Sequence, residues 1–536
     1  MTFTGSLLPY QHDAVESMVS RRKMLVAYDL GLGKTVITIA ACERLRAAGL
    51  LQGPVLVVAL ASLKYQWGKE ITKFSDAGAQ VIDGTKTQRQ AQIRRAVNWE
   101  FNGIDYVVTN YESVVNDFSF ISDIPIGALV MDEATAIKSF RSKRSKKIKD
   151  LSRKVDIRFA LTGTPVENGR PEEIYSIMQA VDGGLLGRFD LFDQTFIVRN
   201  QWGSPERYRN LDVLHRRLSQ NLIRKTQTDE DVSPYLPDTI HREPELITMD
   251  RGLRLVYNHV GQVLIEELEE AVSSFGSNWS LAAHYGQAAP NQPPSEMMGT
   301  LMSRITLLRQ LCSHPELVIE SATKFEHGYE VALAGDGVIR GGSALAHEVL
   351  LNEDIRTRVE KAKVKKLDQL EHLVRDHLDT DDEAKVVIFT TFLLTADLIQ
   401  ERLGGVTYSG KMNAKEKEAA KVQFQTDPST RVLLSTDAGG YGVDLPQANL
   451  LVNYDLPWSA GKAIQRNGRI RRASSRWPAV VIQDLLMDSS IEVRQFDLLY
   501  QKKSVAAAVV DGKGINAQGG IDFSAGSLLE HLRETI

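Results

Sequence analysis

The segment MLVAYDLGLGKTVITIAACERL, residues 24–45, divides into three physical parts. MLVA (24–27) is a short apolar run of the kind buried in a parallel sheet, and VITIAACERL (36–45) has the length and composition of a helix. Between them, Tyr28-Asp29-Leu30-Gly31-Leu32-Gly33-Lys34-Thr35 is a glycine-rich turn. A turn of this kind at a strand-to-helix junction lets backbone N–H groups face an anion at the helix N-terminus, where the helix dipole also favours negative charge. Lys34 would reach the β- and γ-phosphates of a nucleoside triphosphate and Thr35 would hold Mg²⁺, with Asp29, Gly31, Leu32 and Gly33 as the rest of the cradle. Tyr28 stands where the G-x-x-x-x-G-K-[ST] pattern begins with glycine, so the fingerprint is incomplete and a chance Gly-Lys-Thr in a loop is the competing reading.

Working outward, the same alternation of apolar run and helical stretch recurs. PVLVVAL (54–60), IDYVVTN (104–110), IGALVMDE (126–133) and IRFALTG (157–163) form one set of expected strands. KVVIFTTF (385–392), RVLLSTD (431–437), NLLVNYD (449–455) and AVVIQD (479–484) form a second. With 536 residues the chain exceeds one hydrophobic core, and the pattern predicts an α/β protein of two parallel-sheet lobes. Between about 180 and 360 the pattern becomes amphipathic helices such as RGLRLVYNHVGQVLIEELEEAV (251–272), interrupted by loop-like GQAAPNQPPSE (286–296) and AGDGVIRGGS (334–343). The expected organisation is a first lobe over 1–180, helical insertions and a link over 181–360, a second lobe over 361–505 and a tail over 506–536.

Two further strand ends carry chemistry. Val130-Met131-Asp132-Glu133-Ala134-Thr135 ends a strand in adjacent carboxylates, of which Asp132 can sit on a metal and Glu133 can orient or deprotonate an attacking water. Leu161-Thr162-Gly163-Thr164-Pro165 ends the next with hydroxyl residues and a turn suited to sensing phosphate and coupling it to movement. Near the start, LLPYQ (7–11) offers Gln11, whose amide could pair with both hydrogen-bonding edges of adenine. Far downstream, QRNGRIRR (465–472) places four arginines in eight residues. A solvated helix face, a nucleic-acid backbone contact and guanidinium groups aimed at a nucleotide phosphate are its three readings.

Composition constrains these choices only weakly. At 43% hydrophobic and 25% charged, with 64 Lys+Arg against 68 Asp+Glu, this is ordinary soluble globular protein, and any nucleic-acid affinity has to come from a local patch. The two cysteines, Cys42 and Cys312, have neither metal-ligand spacing nor the number for a disulfide framework, which suits a reducing compartment. MTFTGSLLPYQHD has no leader pattern and no run approaches the roughly 18 apolar residues of a membrane span, so a cytoplasmic location without membrane contact is expected.

In order along the chain, LLPYQ, DLGLGKT, VLVVALASLKYQW, DEAT, LTGTP, NLIRKTQTDEDVSPYLP, LRQLCSHPELV (308–318), LLSTDAGGYGVDL (433–445) and QRNGRIRR resemble the motifs of superfamily-two helicases, and more narrowly of the Swi/Snf family of DNA-translocating remodelling ATPases. The resemblance implies two RecA-like lobes with ATP and Mg²⁺ in the cleft between them. Lobe one would bind nucleotide through Gly33, Lys34, Thr35, Asp132 and Glu133, and lobe two would complete the site with Gly442, Asp444, Gln465, Arg469 and Arg472. Arg469 and Arg472, three apart and so on one face of a helical turn, are the γ-phosphate pair, Gly468 allowing close approach. Arg466 and Arg471 are left solvated or DNA-facing, with Arg466→Ala expected to be mild. Departures from the family pattern are Asp29 for glutamate, Leu60 for proline, Thr135 for histidine, Asp444 for asparagine, Arg471 for histidine and Ala473-Ser474-Ser475 for Ile-Gly-Gln.

The implied activity is a DNA-stimulated ATPase that moves along double-stranded DNA and displaces or remodels bound protein. A strand-separating or annealing helicase and an ATP-gated scaffold are the alternatives. Backbone contacts with little sequence preference are expected from Ser62, Lys64, Thr109, Asn110, Thr391, Ser435 and Thr436, which leave strand ends with short hydroxyl, amide or ammonium groups. The run 137–149, with six Lys/Arg from Arg141 onward, is either a further contact or a solvated helix face. A motor without an appended reader, nuclease or zinc module is expected to act as a monomer and suits a bacterial or bacteriophage source.

Overall fold

The computed structural model describes residues 3–199, 205–277, 279, 294–326, 340–437, 443–512 and 524–536. Residues 286–293 and 334–339 of the expected loops, residues 513–523 of the tail, and Gly442 lie outside the described residues.

The first lobe is built on β1 (Lys23–Tyr28), β2 (Val55–Ala59), β3 (Ala79–Val81), β4 (Tyr106–Asn110), β5 (Ala128–Asp132) and β6 (Ile157–Leu161). After a separate antiparallel pair, β7 (Ile197–Arg199) and β8 (Pro205–Tyr208), the strand β9 (Leu222–Lys225) closes the sheet in the order β3-β4-β2-β5-β6-β1-β9. Every neighbouring pair in it is parallel. The period of two along each strand divides the side chains between two cores. Leu56, Val58, Val107, Leu129 and Met131 enter one, and Val55, Val57, Val108 and Val130 the other. Burying each such side chain contributes about 1.5–3 kcal/mol, which is why the runs with least polar interruption become the central strands.

The second lobe repeats the plan with β10 (Asp238–His241), β11 (Glu245–Ile247), β12 (Val386–Thr390), β13 (Val406–Tyr408), β14 (Val432–Thr436), β15 (Leu450–Asn453) and β16 (Ala479–Met487). Its order is β10-β16-β15-β12-β14-β13, with β11 also on β16, again all parallel. The fold is therefore the two-lobed parallel α/β architecture expected.

The segment 181–360 does more than insert helices. It carries the first sheet on to Lys225 and supplies β10 and β11 to the second. The helix Ile491–Val510 starts in the second lobe and ends in the first, where Ala508, Val509 and Val510 share a core with Leu211, Leu214 and Leu218. The last helix, Ala525–Thr535, buries Ala525, Leu528, Leu529 and Leu532 in the core that holds the helix Arg251–Phe275. Both ends of the expected tail are thus packed elements. Among the described residues no helix is long and apolar enough to cross a membrane.

Candidate nucleotide site

The turn after β1 has the conformation its glycines permit. Gly31 (φ +82°) and Gly33 (φ +79°) are both left-handed, a region that costs L-residues with a side chain. Gly33 caps the helix Lys34–Ala47, and a Cβ there would lie 2.4 Å from Gln11 Nε2. A Cβ on Gly31 would lie 2.7 Å from Arg472 Nη1, so a residue of the second lobe touches the phosphate loop of the first. Lys34 Nζ donates to the carbonyls of Tyr28 (2.8 Å) and Asp29 (3.1 Å). Burial lowers its pKa, opposed by Glu133 and Asp132. Thr35 follows in the first helical turn.

Two cradle residues act differently from the sequence reading. Gln11 donates to the Leu32 carbonyl (3.2 Å) and accepts from the Leu8 N–H (2.9 Å), so its amide braces the phosphate loop. Asp29 faces away from the cradle. One of its oxygens pairs with Arg224 Nη1 of β9 (2.7 Å) and the other accepts from the Gln227 N–H (3.0 Å), while Arg224 also pairs with Asp511 (2.7 Å).

The carboxylates at the end of β5 occupy two environments. Asp132 Oδ2 accepts from the Trp67 indole N–H (2.7 Å) and Oδ1 from the Glu133 backbone N–H (2.9 Å), while its carbonyl accepts from Tyr111 Oη (2.7 Å). Trp67 and Tyr111 are site residues that the sequence did not assign. Glu133 is a non-glycine residue in the left-handed region (φ +45°, ψ +57°), strain of the kind concentrated at functional sites. Its buried Oε2 has no hydrogen-bond partner. Burial first and the neighbouring Asp132 second push its carboxyl up to about 7, while Lys34 and Arg469 pull the other way. Such a group is poised to take a proton near neutral pH.

The arginines of 465–472 separate into distinct jobs. Arg466, Arg469 and Arg472 are only 3%, 4% and 5% exposed, which overturns the solvated basic face. Arg466 Nε donates to Asp437 (2.7 Å), Nη1 to the Asp455 carbonyl (2.6 Å) and Nη2 to Thr391 Oγ1 (3.4 Å); it is an internal strut of lobe two, neither solvated nor DNA-facing. Arg469 lies close enough across the cleft to act on Glu133. Arg472 pairs with Asp444 (2.5 Å), and its buried Nε has no hydrogen-bond partner. Asp444 is thus placed to orient an arginine. Gln465 is buried on the helix Ala460–Asn467. Arg471, half-buried, also binds protein: Nε donates to the Pro237 carbonyl (3.0 Å) and both Nη atoms to Gln227 (3.2 Å each). The N-terminus of the arginine helix docks on the first lobe, with Ser459 Oγ donating to Glu167 Oε1 (3.0 Å) and the Gly461 N–H to the Glu167 carbonyl (3.1 Å).

The arrangement suits a nucleoside triphosphate with its cation. Two left-handed glycines, a half-buried lysine and two buried arginines converge where a ligand's phosphates would lie, and Thr35 and Asp132 would supply the hard oxygens that Mg²⁺ takes. An orphaned carboxylate oxygen and an orphaned guanidinium N–H provide unmet polar valence on the two sides of the cleft.

Most of the strand-end candidates for DNA turn inward. Lys64 is buried, paired with Asp83 and bonded to the Ile82 carbonyl (3.3 Å). Asn110 caps the helix Tyr111–Asn116 by accepting from the Ser113 N–H (2.8 Å). Thr109, Ser435 and Thr436 are buried, Ser435 Oγ donating to the Tyr408 carbonyl (3.3 Å), and Thr391 is tied to Asp455 and Arg466. These are caps and internal ties, the fate of short polar groups where buried strands end. Ser62 alone of the seven is exposed. In the basic run, helix Lys143–Ser152 exposes Lys143, Arg144 and Lys146, while Lys149 is buried against Ser176 Oγ (3.1 Å) and held down at about 8 by that burial.

The SNF2-related domain matches residues 10–317 and the helicase conserved C-terminal domain matches residues 365–474. The ISWI chromatin-remodeling complex ATPase ISW1 of Saccharomyces cerevisiae is 25% identical over 525 residues, covering 94% of this chain and 41% of the relative. The DNA repair and recombination protein RAD54B of Mus musculus is 24% identical over 535 residues, covering 94% of this chain and 56% of the relative. The chain spans about half the length of the curated relatives it matches. A solved Sulfolobus solfataricus SWI2/SNF2 ATPase core in complex with dsDNA aligns over 100% of this chain and 98% of that chain, at 22% identity and a TM-score of 0.41.

Proposed function

Because the chain belongs to the SNF2-related family, with a helicase conserved C-terminal domain following, we propose that it is a DNA-stimulated ATPase whose lobe motions drive it along double-stranded DNA and displace or remodel protein bound there. The observation that carries the proposal is the contact of Arg472 with Gly31 across the cleft, with Arg469 acting on Glu133 beside it.

In this mechanism Lys34 and the loop N–H groups hold the β- and γ-phosphates, and Glu133 accepts the proton of the attacking water. Arg469 and Arg472 stabilise charge on the transferring phosphoryl group, a service worth roughly 10³–10⁵ in rate where a single finger has been measured. Mg²⁺ held by Thr35 and Asp132 would neutralise phosphate charge. Arginine and lysine sit on different lobes, so turnover is gated by closure, and closure and reopening move the two lobes relative to each other. Ser62 and the exposed Lys143 and Lys146 are the proposed backbone contacts on the first lobe.

The test sets displacement of a third strand from a triplex beside unwinding of a forked duplex. Triplex displacement that needs ATP, without fork unwinding, is the expected result. Unwinding without displacement would replace the proposal with a strand-separating helicase.

A further inference from the structure

We infer that Gln227 and Arg471 form a clasp through which the inter-lobe link sets the register of Arg472 on the phosphate loop, making both positioning residues for ATP hydrolysis. Gln227 lies two residues beyond β9, outside every motif that carries nucleotide chemistry, and Arg471 is one of the two arginines the sequence left unassigned.

All four polar groups of Gln227 are used, two on each side. Its N–H donates to Asp29 Oδ2 (3.0 Å) and its Nε2 to the Leu30 carbonyl (2.8 Å), both in the phosphate loop. Its carbonyl and Oε1 each accept from the Arg471 guanidinium at 3.2 Å. The third side of that guanidinium donates to the Pro237 carbonyl (3.0 Å), so the planar fork is fixed at two points of the link. The link is itself fastened to the phosphate loop by Arg224 on Asp29 (2.7 Å) and by the Asp29 N–H on the Lys225 carbonyl (3.0 Å).

The residue after Arg471 is the one that touches Gly31, and the Arg471 carbonyl itself would lie 3.3 Å from a Cβ on that glycine. A shift of the clasp therefore moves Arg472 directly. A misplacement of about 1 Å in such a site costs roughly 10²-fold in rate. Arg471 occupies the place of the histidine usual in the resembling family, and a histidine lacks the third donor that reaches Pro237 in this chain.

The inference rests on the ATPase proposal, so its experiment has a readout that does not depend on turnover. Gln227→Ala, Arg471→Ala and the double variant are compared with wild type for kcat and KM of ATP with duplex DNA, and for amide hydrogen exchange of residues 28–33 and 226–237. Each single variant is expected to lower kcat by about 10–100-fold with KM changed less than about threefold, the double being no worse than the worse single. Exchange is expected to quicken in both segments and stay at the wild-type rate in β12 and β14. Additive losses in the double variant, or wild-type exchange in both segments, would overturn the clasp. A wild-type chain that turns over no ATP would defeat the ATPase proposal alone, and exchange would still decide the clasp.

Discussion

Replacing Glu133 by glutamine perturbs two quantities that the structure ties together. The ordinary glutamate value is 4.5, and the buried carboxyl beside Asp132 is held up at about 7. Each unit of such a displacement corresponds to about 1.4 kcal/mol, giving roughly 3 kcal/mol as an upper bound. Because the residue is partly exposed and shares the site with Asp132, about 1–2 kcal/mol is the expected size. A folded-state value raised above the unfolded one adds stability below about 4.5 that is lost as pH rises through about 7. At pH 8 the native protein holds an ionised carboxylate in a desolvated place, and Glu133→Gln removes that cost. The variant should therefore melt a few degrees higher than wild type at pH 8, with the gap closing towards pH 5. Loss of the base should lower ATP turnover by roughly 10²–10⁴ while a fluorescent ATP analogue still binds. Calorimetry across pH and a coupled ATPase assay measure both. Turnover within tenfold of wild type, or a melting gap that does not change with pH, would refute the reasoning.

Three other substitutions follow from the same geometry. Arg466→Ala removes a buried guanidinium from half-buried Asp437, which keeps Lys462 at 3.9 Å, and should cost about 1.5–3 kcal/mol, seen as a clear loss of melting temperature in place of the mild effect that spacing suggested. Trp67→Phe removes the indole donor to Asp132, a bond to a charged group worth about 1.5–3 kcal/mol, and should lower melting by several degrees and turnover about tenfold. Charge reversal at the exposed Lys143 and Lys146 should weaken duplex binding and flatten its dependence on salt by about one unit of slope for each phosphate no longer neutralised, measured by fluorescence anisotropy; an unchanged slope would return the helix to a solvated face.

The central strands and the phosphate loop were legible because their signals are local. Val55–Ala59 and Ala128–Asp132 are runs with all five residues buried, and Gly31 and Gly33 are needed where φ is positive. The lobe boundaries were not, because LIRK (222–225), DTIH (238–241) and ELI (245–247) are edge strands too short and too polar to stand out from a link. Arg469 and Arg472 were singled out through the family motif they resemble, since Arg466 and Arg469 are equally three apart, and the strut role of Arg466 depends on Asp437 and Asp455, which only the folded lobe brings to it. The hydroxyl and amide groups at strand ends misled for a physical reason: the types suited to holding a phosphate also suit capping a helix or tying a loop, as Asn110 and Thr391 do. Trp67 left a usable signal. An indole in the helix following β2 has an N–H to satisfy on burial, and the carboxylate at the end of β5 beside β2 was the available acceptor.

The claim on which the rest depends is that arginines of the second lobe complete the ATP site of the first. Steady-state ATP hydrolysis with saturating duplex DNA, comparing wild type with Arg469→Ala and Arg472→Ala, tests it most directly when binding of a fluorescent ATP analogue is measured on the same samples. Either substitution is predicted to lower duplex-stimulated turnover by about 10³-fold or more with analogue affinity within about threefold of wild type. Turnover that survives both substitutions would contradict it.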